Sequence, residues 1–389
     1  MTDAVRAVAS VITHGCRSNL AERDALASLA PAGATVVNSC AVTAGAVRDA
    51  RSAVRSALRQ GPVIVTGCAA TLMPERFTAA GVIIMPNASK LDPSAWKHGT
   101  GAVRAAVTRQ SRAFVAVQDG CDHDCTFCVT RLARGPSRSI AVADVVARVR
   151  ALVDAGVNEV VLTGIDTTSY GVDLPGRPAL GALVQAVLRD VPELRRLRLS
   201  SLDVAEADPA LVDAFGDARL MPHVHLSLQS GDDLILKRMK RRHARADAVR
   251  LVERLKAARP DIAIGADLIA GFPTEGEAGH MNSLSLMRDC NIVHAHVFPY
   301  SARPRTAAAR MPQVPPAIAK ARAAALRSEG EKRLNMLLNR MLGAPVETVS
   351  EGMQGITPHG VKLRYRSLQA RGSVVVTTAS AVGSGMLFE

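Results

Sequence analysis

Aromatic side chains and long apolar runs are both scarce in this sequence of 389 residues. Phe, Trp and Tyr make up 3% of the chain, so its cores must be built mainly from Ala, Val and Leu. No apolar run approaches the roughly 18–20 residues of a membrane span, and the first residues lack the profile of a signal peptide. The seven cysteines are too few, and odd in number, for a secreted disulfide scaffold. These absences predict a cytoplasmic protein that has no membrane association.

The remaining composition is typical of a folded protein with an anionic partner. Hydrophobic residues make up 48% of the chain and charged residues 21%, which excludes a disordered polymer. At roughly 100–200 residues per domain, the length predicts two to four domains. The 48 Lys and Arg against 35 Asp and Glu give a net charge of +13, and a balance of this sign indicates a nucleic-acid partner.

The positive charge is concentrated in two places rather than spread evenly. Residues 301–389 carry 13 Lys and Arg against five Asp and Glu, and residues 237–245 carry six positive side chains. Diffuse basicity of an Arg-using, Ala-rich composition is the alternative explanation. The clustering favours a partner with a phosphate backbone.

Residues 1–100 alternate short β-branched runs with helical stretches. The strand-like runs are 8–13, 34–37, 63–66 and 82–85, and the helical stretches are 20–29, 46–59 and 71–79. This alternation predicts a doubly wound α/β domain with a parallel sheet. A connector rich in Gly, Thr and Ala, residues 99–112, separates it from the next domain.

The alternation restarts with a longer period over residues 113–310. Strand-like runs are 114–117, 159–162, 196–199, 224–228, 262–269 and 292–298, and helical patterns include 143–155, 180–189, 246–258 and 277–289. Six βα units are too few for a closed eight-unit barrel, so we expect an open partial (βα)6 barrel. Chemistry in such folds collects at the carboxyl ends of the strands.

The last part of the chain changes character twice. A basic helix is predicted over 316–342, within a connector of residues 311–342. Residues 343–389 have no helical period, and the runs 346–349, 361–365 and 373–378 are separated by Gly. These features predict a small β-barrel-like domain of the oligonucleotide-binding kind.

Three cysteines on one loop, Cys121, Cys125 and Cys128, form what we call the loop triplet. Three thiolates at this spacing suit a [4Fe–4S] cluster in which the fourth iron stays open for a substrate or cosubstrate. A zinc site with His123 as fourth ligand is the alternative. The position of the loop after the first barrel strand favours the iron–sulfur interpretation.

Three further cysteines, Cys16, Cys40 and Cys68, each follow a predicted strand and form the strand-end triplet. The carboxyl ends of successive parallel strands converge on one edge of a sheet, so these thiols are expected to meet. A second three-cysteine metal cluster is the prediction, and three separate core cysteines are the alternative. Cys290 stands alone at a helix end and is predicted to be a core residue.

The loop triplet on a six-unit partial barrel resembles the radical S-adenosylmethionine (SAM) enzymes. With the strand-end triplet and the basic tail added, the whole chain resembles the methylthiotransferases of that superfamily. Segments similar to the MtaB-type branch are 162–166 (LTGID), 169–174 (SYGVDL), 197–201 (LRLSS), 225–231 (HLSLQSG) and 237–242 (KRMKRR). The sister branches act on isopentenyladenosine or on an aspartate of a ribosomal protein.

The resemblance implies a transferase that adds a methylthio group to C2 of N6-threonylcarbamoyladenosine at position 37 of tRNA. The loop triplet would be catalytic, holding a [4Fe–4S] cluster that binds SAM and forms a 5′-deoxyadenosyl radical. The strand-end triplet would hold a second [4Fe–4S] cluster that presents sulfur, methylated by a second SAM. Partners would be tRNA, a flavodoxin-like electron donor and a sulfur source, with a TRAM-like RNA-binding domain over 343–389 and a monomeric protein.

Several polar or glycine positions at strand ends are candidate SAM contacts, with ordinary turn chemistry as the alternative for each. They are Thr163, Gly164, Ser200, Ser201, Gln229 and Gly271. A glycine at 271 would let the backbone approach the adenine closely. Three arginines of the basic segment, at 238, 241 and 242, are candidates for binding a phosphate or the threonyl carboxylate of the substrate. The alternative is that they form a solvated helix face.

Two other functions are compatible with the sequence. One is a methylthiotransferase acting on an aspartate of a ribosomal protein. The other is a zinc-stabilised RNA-binding protein without catalysis.

Overall fold

The computed structural model describes residues 9–96 and 111–389. One compact unit takes the described part of residues 1–108 together with 119–123 and 128–138, and the second takes 109–118, 124–127 and 139–389. Residue 8 of the first predicted strand, and residues 99–110 of the predicted connector, lie outside the described residues. The four-part division of the chain made from the sequence therefore stays a prediction.

A parallel four-stranded sheet, in the order β1-β2-β3-β4, forms the centre of the first unit. Its strands are β1 Ser10–Thr13, β2 Thr35–Ser39, β3 Val63–Gly67 and β4 Val82–Ile84; its helices are α1 Arg17–Ala21, α2 Arg23–Leu29, α3 Ala44–Ala57 and α4 Cys68–Leu72. Alternate strand residues face opposite sides: Val37 and Val65 pack with α3, and Val36 and Ile64 pack with α2. Helices therefore cover both faces, as predicted.

Two helices of this unit differ from the expectation. The helix predicted over 20–29 is divided between α1 and α2 at Glu22, whose side chain is buried. The helix predicted over 71–79 is wrong, because α4 ends at Leu72. Pro74 has no N–H to donate and disfavours a helical conformation at Met73, so the chain continues as a short 3-10 turn, Pro74–Arg76.

Six longer strands of the second unit form the predicted partial barrel. They are β5 Ala113–Ala116, β8 Glu159–Thr163, β9 Arg196–Leu199, β10 His223–Gln229, β11 Ala263–Ala270 and β12 Ile292–Pro299. The helices along the barrel are α6 Val142–Asp154, α7 Leu180–Asp190, α8 Pro209–Ala214, α9 Asp233–Arg238, α10 Arg245–Ala258 and α11 Glu277–Asp289. Between β5 and α6 the chain forms β6 Gln118–Asp119, α5 Thr130–Arg134 and β7 Arg138–Ser139.

The barrel strands pair in parallel as β5-β8-β9 and β10-β11-β12. Single bridges, Leu197 to Leu220 and Leu202 to Leu226, link the two groups. Apolar strand residues pack with the helices in one large core, and the opposite face of the sheet is the inner face of the barrel. The open partial barrel predicted from the sequence is confirmed. Cys290 caps α11 and is fully buried in this core, as expected.

The chain ends in a long helix and a curled sheet. Helix α12, Pro316–Arg340, is two residues shorter than predicted. The sheet has the order β16-β13-β14-β15-β18-β17, with β13 Pro345–Ser350, β14 Gln354–Ile356, β15 Lys362–Arg364, β16 Val374–Thr378, β17 Ala381–Gly383 and β18 Met386–Phe388. The strands β14, β17 and β18, each of three residues, were not predicted. The β-barrel-like character of this segment is confirmed as a six-stranded half-barrel.

A fully buried ionic cluster joins the curled sheet to the barrel. Glu159, at the start of β8, lies 2.8 Å from the Nε atoms of both Arg196 and Arg198. The same guanidinium groups donate to the carbonyl oxygens of Ile356 at 3.0 Å and Thr357 at 2.5 Å. The amino ends of two barrel strands are therefore fastened to the loop that follows β14.

No helix in the described ranges combines the length and apolarity that a membrane span requires.

Candidate functional site

The strand-end triplet lies at one edge of the sheet of the first unit. Cys16 caps the amino end of α1 just after β1, Cys40 directly follows β2, and Cys68 is the first residue of α4 after β3. The backbone approaches closely here: a Cβ atom on Gly15 would lie 2.5 Å from the Cys40 Sγ. The three cysteines therefore lie at the carboxyl ends of three adjacent parallel strands, and their binding of one metal cluster stays a prediction.

The thiols of this triplet influence one another electrostatically; Cys40 is buried, and Cys16 and Cys68 are partly buried. Burial raises the pKa of Cys16, and raises that of Cys40 to about 11, with each neighbouring thiolate adding to the rise. The positive charge of Arg134 acts in the opposite direction on both. A bound cation would have to displace protons from these thiols, so the triplet favours a metal with strong affinity for sulfur.

A buried polar network lies beside the strand-end triplet and centres on Arg134, which is 4% exposed. Its guanidinium donates to Glu22 Oε1 at 3.0 Å, Asp119 Oδ1 at 2.7 Å and Asn19 Oδ1 at 2.6 Å. Lys90 Nζ donates to the other oxygen of Glu22 at 2.6 Å. The network fixes a positive guanidinium near the cysteines, where anionic sulfur is stabilised by it.

Asn87 provides a direct contact to the triplet. Its Nδ2 lies 3.6 Å from the Cys68 Sγ, at hydrogen-bonding distance for sulfur, and donates to the carbonyl oxygen of Ala133 at 2.9 Å. Its backbone N–H donates to the Thr71 Oγ1 at 3.0 Å. Two hydrogen bonds therefore hold the Asn87 amide against the Cys68 sulfur. Hydrogen-bond donors in this position adjust the properties of metal-bound thiolates.

Each cysteine of the loop triplet has its own hydrogen-bond donor. The backbone N–H of His123 points to the Cys121 Sγ at 3.4 Å, and that of Thr130 points to the Cys128 Sγ at 3.4 Å. Donors of this kind stabilise thiolates, which are the form that binds iron. The seven cysteines all lie among the described residues and form no disulfide, so both triplets remain available as ligands.

Cys125 belongs to the second unit, where its segment is tied to the end of α9. The backbone N–H of Thr126 donates to the carbonyl oxygen of Met239 at 3.1 Å, and its hydroxyl donates to that of Arg238 at 2.9 Å. The Arg241 Nη1 lies 3.7 Å from the Cys125 Sγ. A cationic donor therefore faces the middle thiol of the loop triplet.

The arginines of the basic segment are engaged within the protein rather than forming a solvated face. Arg241 is buried and binds Asp203 at 2.6 Å, and Arg238 donates to the Thr274 hydroxyl at 2.7 Å. Arg242 is partly exposed, 3.8 Å from the same Asp203 carboxylate. Asp203 was not singled out from the sequence, since a lone aspartate carries no motif.

Two hydroxyls at the carboxyl ends of adjacent strands are buried and lack a hydrogen-bond partner in the described part of the chain. They belong to Thr163, at the end of β8, and Ser200, directly after β9. A buried hydroxyl without a partner costs free energy, so these two are suited to a ligand that supplies the missing bonds. Their role as SAM contacts stays a prediction.

The other candidate contacts have structural reasons of their own. A Cβ atom on Gly271 would lie 2.3 Å from the Ala319 Cβ of α12, so packing against that helix already requires a glycine. Gly164 is similarly close to Gln118 and Thr167, and the carbonyl oxygen of Ser201 accepts from the Thr167 hydroxyl. Gln229 ends β10 with a positive φ of 67°. These positions shape the strand ends, and SAM contact by them stays a prediction.

Sequence reasoning missed the groups that surround the cysteines. Arg134, Glu22, Lys90 and Asn87 come from four segments with no shared motif, so only the fold reveals that they meet. His225 of β10, Asp267 of β11 and His296 of β12, which lie close together, were also missed.

Comparison with known proteins agrees with the architecture. The model of the Radical SAM superfamily matches residues 115–287. In the solved structures, a radical SAM methyltransferase, TsrM from Kitasatospora setae, aligns with a TM-score of 0.53 over 75% of this chain and 68% of that one, at 16% identity. This likeness shows the shared fold alone.

Curated relatives are far more similar in sequence. A protein of Rickettsia prowazekii named threonylcarbamoyladenosine tRNA methylthiotransferase MtaB is 43% identical over 88% of this chain and 87% of its own. A protein of the same name from Chlamydia pneumoniae is 31% identical over 97% and 95%. The chain is therefore an enzyme, and the non-catalytic RNA-binding alternative is wrong: it belongs to the MtaB-type family of radical SAM tRNA methylthiotransferases.

Proposed function

We propose that this transferase adds a methylthio group to C2 of N6-threonylcarbamoyladenosine at position 37 of tRNA. The observation that carries the proposal is the meeting of Cys16, Cys40 and Cys68 at one edge of a parallel sheet, beside a buried arginine. A second sulfur-rich site is what sulfur insertion needs in addition to radical generation. The names of the relatives support the substrate.

We propose that each triplet binds one [4Fe–4S] cluster. The loop triplet would bind the cluster that holds SAM, and the strand-end triplet the second cluster. Three thiolates leave one iron open in each case. The absence of disulfides in both triplets and the N–H donors at Cys121 and Cys128 fit that donor set. When bound, these groups supply the radical and sulfur chemistry that an unactivated carbon requires.

The chain's own residues position the reactants and balance charge. The Thr163 and Ser200 hydroxyls would bind SAM at the carboxyl ends of β8 and β9, and Arg241 would hold negative charge at Cys125. Arg134 would do the same at the strand-end triplet. A flavodoxin-like electron donor, a sulfur source and a monomeric, cytoplasmic enzyme complete the proposal.

The experiment that tests the substrate is mass spectrometry of tRNA nucleosides. A strain that lacks this gene should retain N6-threonylcarbamoyladenosine and lose its 2-methylthio form, and the full-length gene should restore it. Persistence of the methylthio nucleoside in the deletion strain would show that the substrate is wrong.

Anaerobically purified protein should contain about eight irons per chain, whereas about four would contradict the second cluster.

We expect an Asn87→Leu variant to lower the reduction potential of the second cluster. The Asn87 amide points at the Cys68 sulfur, and losing a hydrogen bond to sulfur disfavours the more negative, reduced state. Redox titration followed by electron paramagnetic resonance would measure it, in a Cys128→Ala background that removes the other cluster. Asn158→Leu is the control, because that amide donates to the carbonyl oxygen of Gly372, far along the chain. An unchanged potential in Asn87→Leu would contradict this role.

We expect the exposed basic side chains of β15 to contact the tRNA backbone. Replacing Lys362 and Arg364 by Gln should weaken tRNA binding and reduce the slope of log K against log salt by about one per lost phosphate contact. The same double change at the exposed helix residues Arg150 and Arg254 should leave the slope unchanged. Equal slopes for the two double variants would place the RNA elsewhere.

A further inference from the structure

Three metal-ligating side chains meet on the inner face of the barrel sheet. Asp267 of β11 is paired in register with His296 of β12, and His225 lies on the neighbouring strand β10. Leu226 and Ala266, which alternate with them, pack in the core on the helix side. Since successive strand residues face opposite sides, the two imidazoles and the carboxylate face the interior of the barrel.

The distances within this group fit one bound ion. His225 Nε2 lies 3.0 Å and His296 Nδ1 3.5 Å from the same oxygen, Asp267 Oδ1. A ligand atom of each of the three residues lies within 4.8 Å of the others. Two ligand atoms that each lie about 2.1 Å from a metal ion are about 3.0 Å apart when the ligand–metal–ligand angle is 90°. They are about 3.4 Å apart when that angle is tetrahedral. The observed separations to the carboxylate therefore match ligands of a common centre.

The buried nitrogen of the group is an independent indication. His225 is 3% exposed, and its Nε2 has no hydrogen bond of acceptable geometry among the residues that the structure describes. A buried ring nitrogen left in this way costs free energy unless a ligand occupies it. The side chain of Asp267 is 24% exposed and that of His296 58% exposed, so an ion can reach the group.

The backbone makes room for this arrangement. A Cβ atom on Gly265 would lie 2.5 Å from His225 Nδ1, so the imidazole fits only because that position carries no side chain. His294, on the same face of β12 one pleat earlier, is excluded from the group because its Nε2 bonds to the carbonyl oxygen of His359 at 2.9 Å. The three ligands are thus held in place while a neighbouring histidine is engaged elsewhere.

The charge of the group suits a cation. An imidazole that binds a metal does so through a neutral ring nitrogen, so with both histidines as ligands the group offers one carboxylate charge to the ion. An anion is disfavoured there, and a divalent cation is favoured.

We propose that His225, Asp267 and His296 bind one divalent transition-metal ion, for which Zn²⁺ is the test ion. Two imidazoles and one carboxylate are a donor set typical of such ions. Three protein ligands leave at least one coordination position free, and it faces the interior of the barrel. None of the three ligands belongs to a cysteine triplet, and the site does not depend on the proposed tRNA reaction.

Metal analysis of the intact holoenzyme tests the site. Anaerobic protein with its full iron content would be equilibrated with Zn²⁺, freed of excess metal, and measured for zinc and iron. We expect about one zinc per chain at unchanged iron content. His296→Ala and Asp267→Asn should each weaken zinc binding at least about tenfold, the scale seen when a mere hydrogen-bond partner of a metal ligand is lost. His294→Gln is the matched control and should bind zinc as the wild type does.

Three results would overturn the proposal. One is equal zinc binding by the wild type and both ligand variants. Another is zinc that enters only as iron leaves, which would place it at the cysteines. The third is a loss of zinc binding in His294→Gln that equals the loss in the two ligand variants. Because His296 is exposed, its replacement should not unfold the protein, and thermal melting with an intact iron content verifies this for each variant.

Discussion

An alanine at any cysteine of the loop triplet is expected to abolish SAM cleavage, and an alanine at any cysteine of the strand-end triplet is expected to spare it. The loop cysteines would hold the cluster that receives SAM, so their loss should lower 5′-deoxyadenosine formation by more than about a thousandfold, since enzymes accelerate reactions at least about 10⁶-fold. The strand-end cysteines lie at the edge of another sheet. Their loss should leave 5′-deoxyadenosine formation within about a factor of a few and stop methylthiolation of tRNA.

Two measurements on the same reaction separate these outcomes. Chromatography quantifies 5′-deoxyadenosine, and mass spectrometry of the tRNA quantifies the methylthio nucleoside. Cys290→Ala is the control, because this cysteine is buried in the barrel core at the end of α11 and should retain both activities. Parallel loss of both products in both sets of variants would contradict separate roles for the triplets.

Replacing Glu159 by Gln is expected to destabilise the second unit by about 3–5 kcal/mol, the scale for removing one partner of a buried ion pair. The change keeps the size of the side chain but removes the counter-charge of Arg196 and Arg198, both almost fully buried. The Asp190→Asn variant, in an exposed pair with Arg189, should unfold as the wild type does. Urea denaturation measures both, and equal midpoints would show that Glu159 is not needed as a charge.

Low pH is expected to destabilise the folded protein through the same buried ion pairs of Glu159. Burial alone raises the pKa of Glu159, but Arg198, Arg196 and Arg112 outweigh it and lower the pKa below its usual value. A carboxyl with a depressed pKa stabilises the folded state above its unfolded pKa of about 4.3, and this contribution is lost as the pH falls through the folded value. The wild type should therefore lose stability below about pH 4, and Glu159→Gln should respond less. Parallel curves of unfolding free energy against pH would contradict the assignment.

Much of the fold could be predicted because its signals are local. The barrel strand over 196–199 and the helix over 277–289 have the predicted bounds, since apolar periodicity and flanking breakers define them. The predicted helix bounds were wrong where a single residue ends or divides a helix. Pro74 ends a helix that periodicity alone extends, and Glu22 separates two helices whose apolar pattern is continuous.

The site was predictable only where one residue type repeats in a pattern. Six cysteines could be assigned to two groups from spacing and from the geometry of parallel strands. Arg134 and Asn87 could not, because contacts with Cys68 and its neighbours depend on how distant segments pack. His225 and Asp267 are 42 residues apart and carry no motif; only the register of β10 and β11 brings them together.

The fastening of the barrel to the curled sheet has a consequence for biosynthesis. The Arg196 guanidinium donates to a carbonyl oxygen that follows it by 160 residues. At about 5–20 residues per second, a ribosome needs roughly 8–30 s to make that stretch, during which the nascent barrel holds arginines without their acceptors. Chains that stop before residue 354 never obtain those acceptors. We expect such truncated products to be less stable than the full chain, because buried guanidinium groups without acceptors cost free energy.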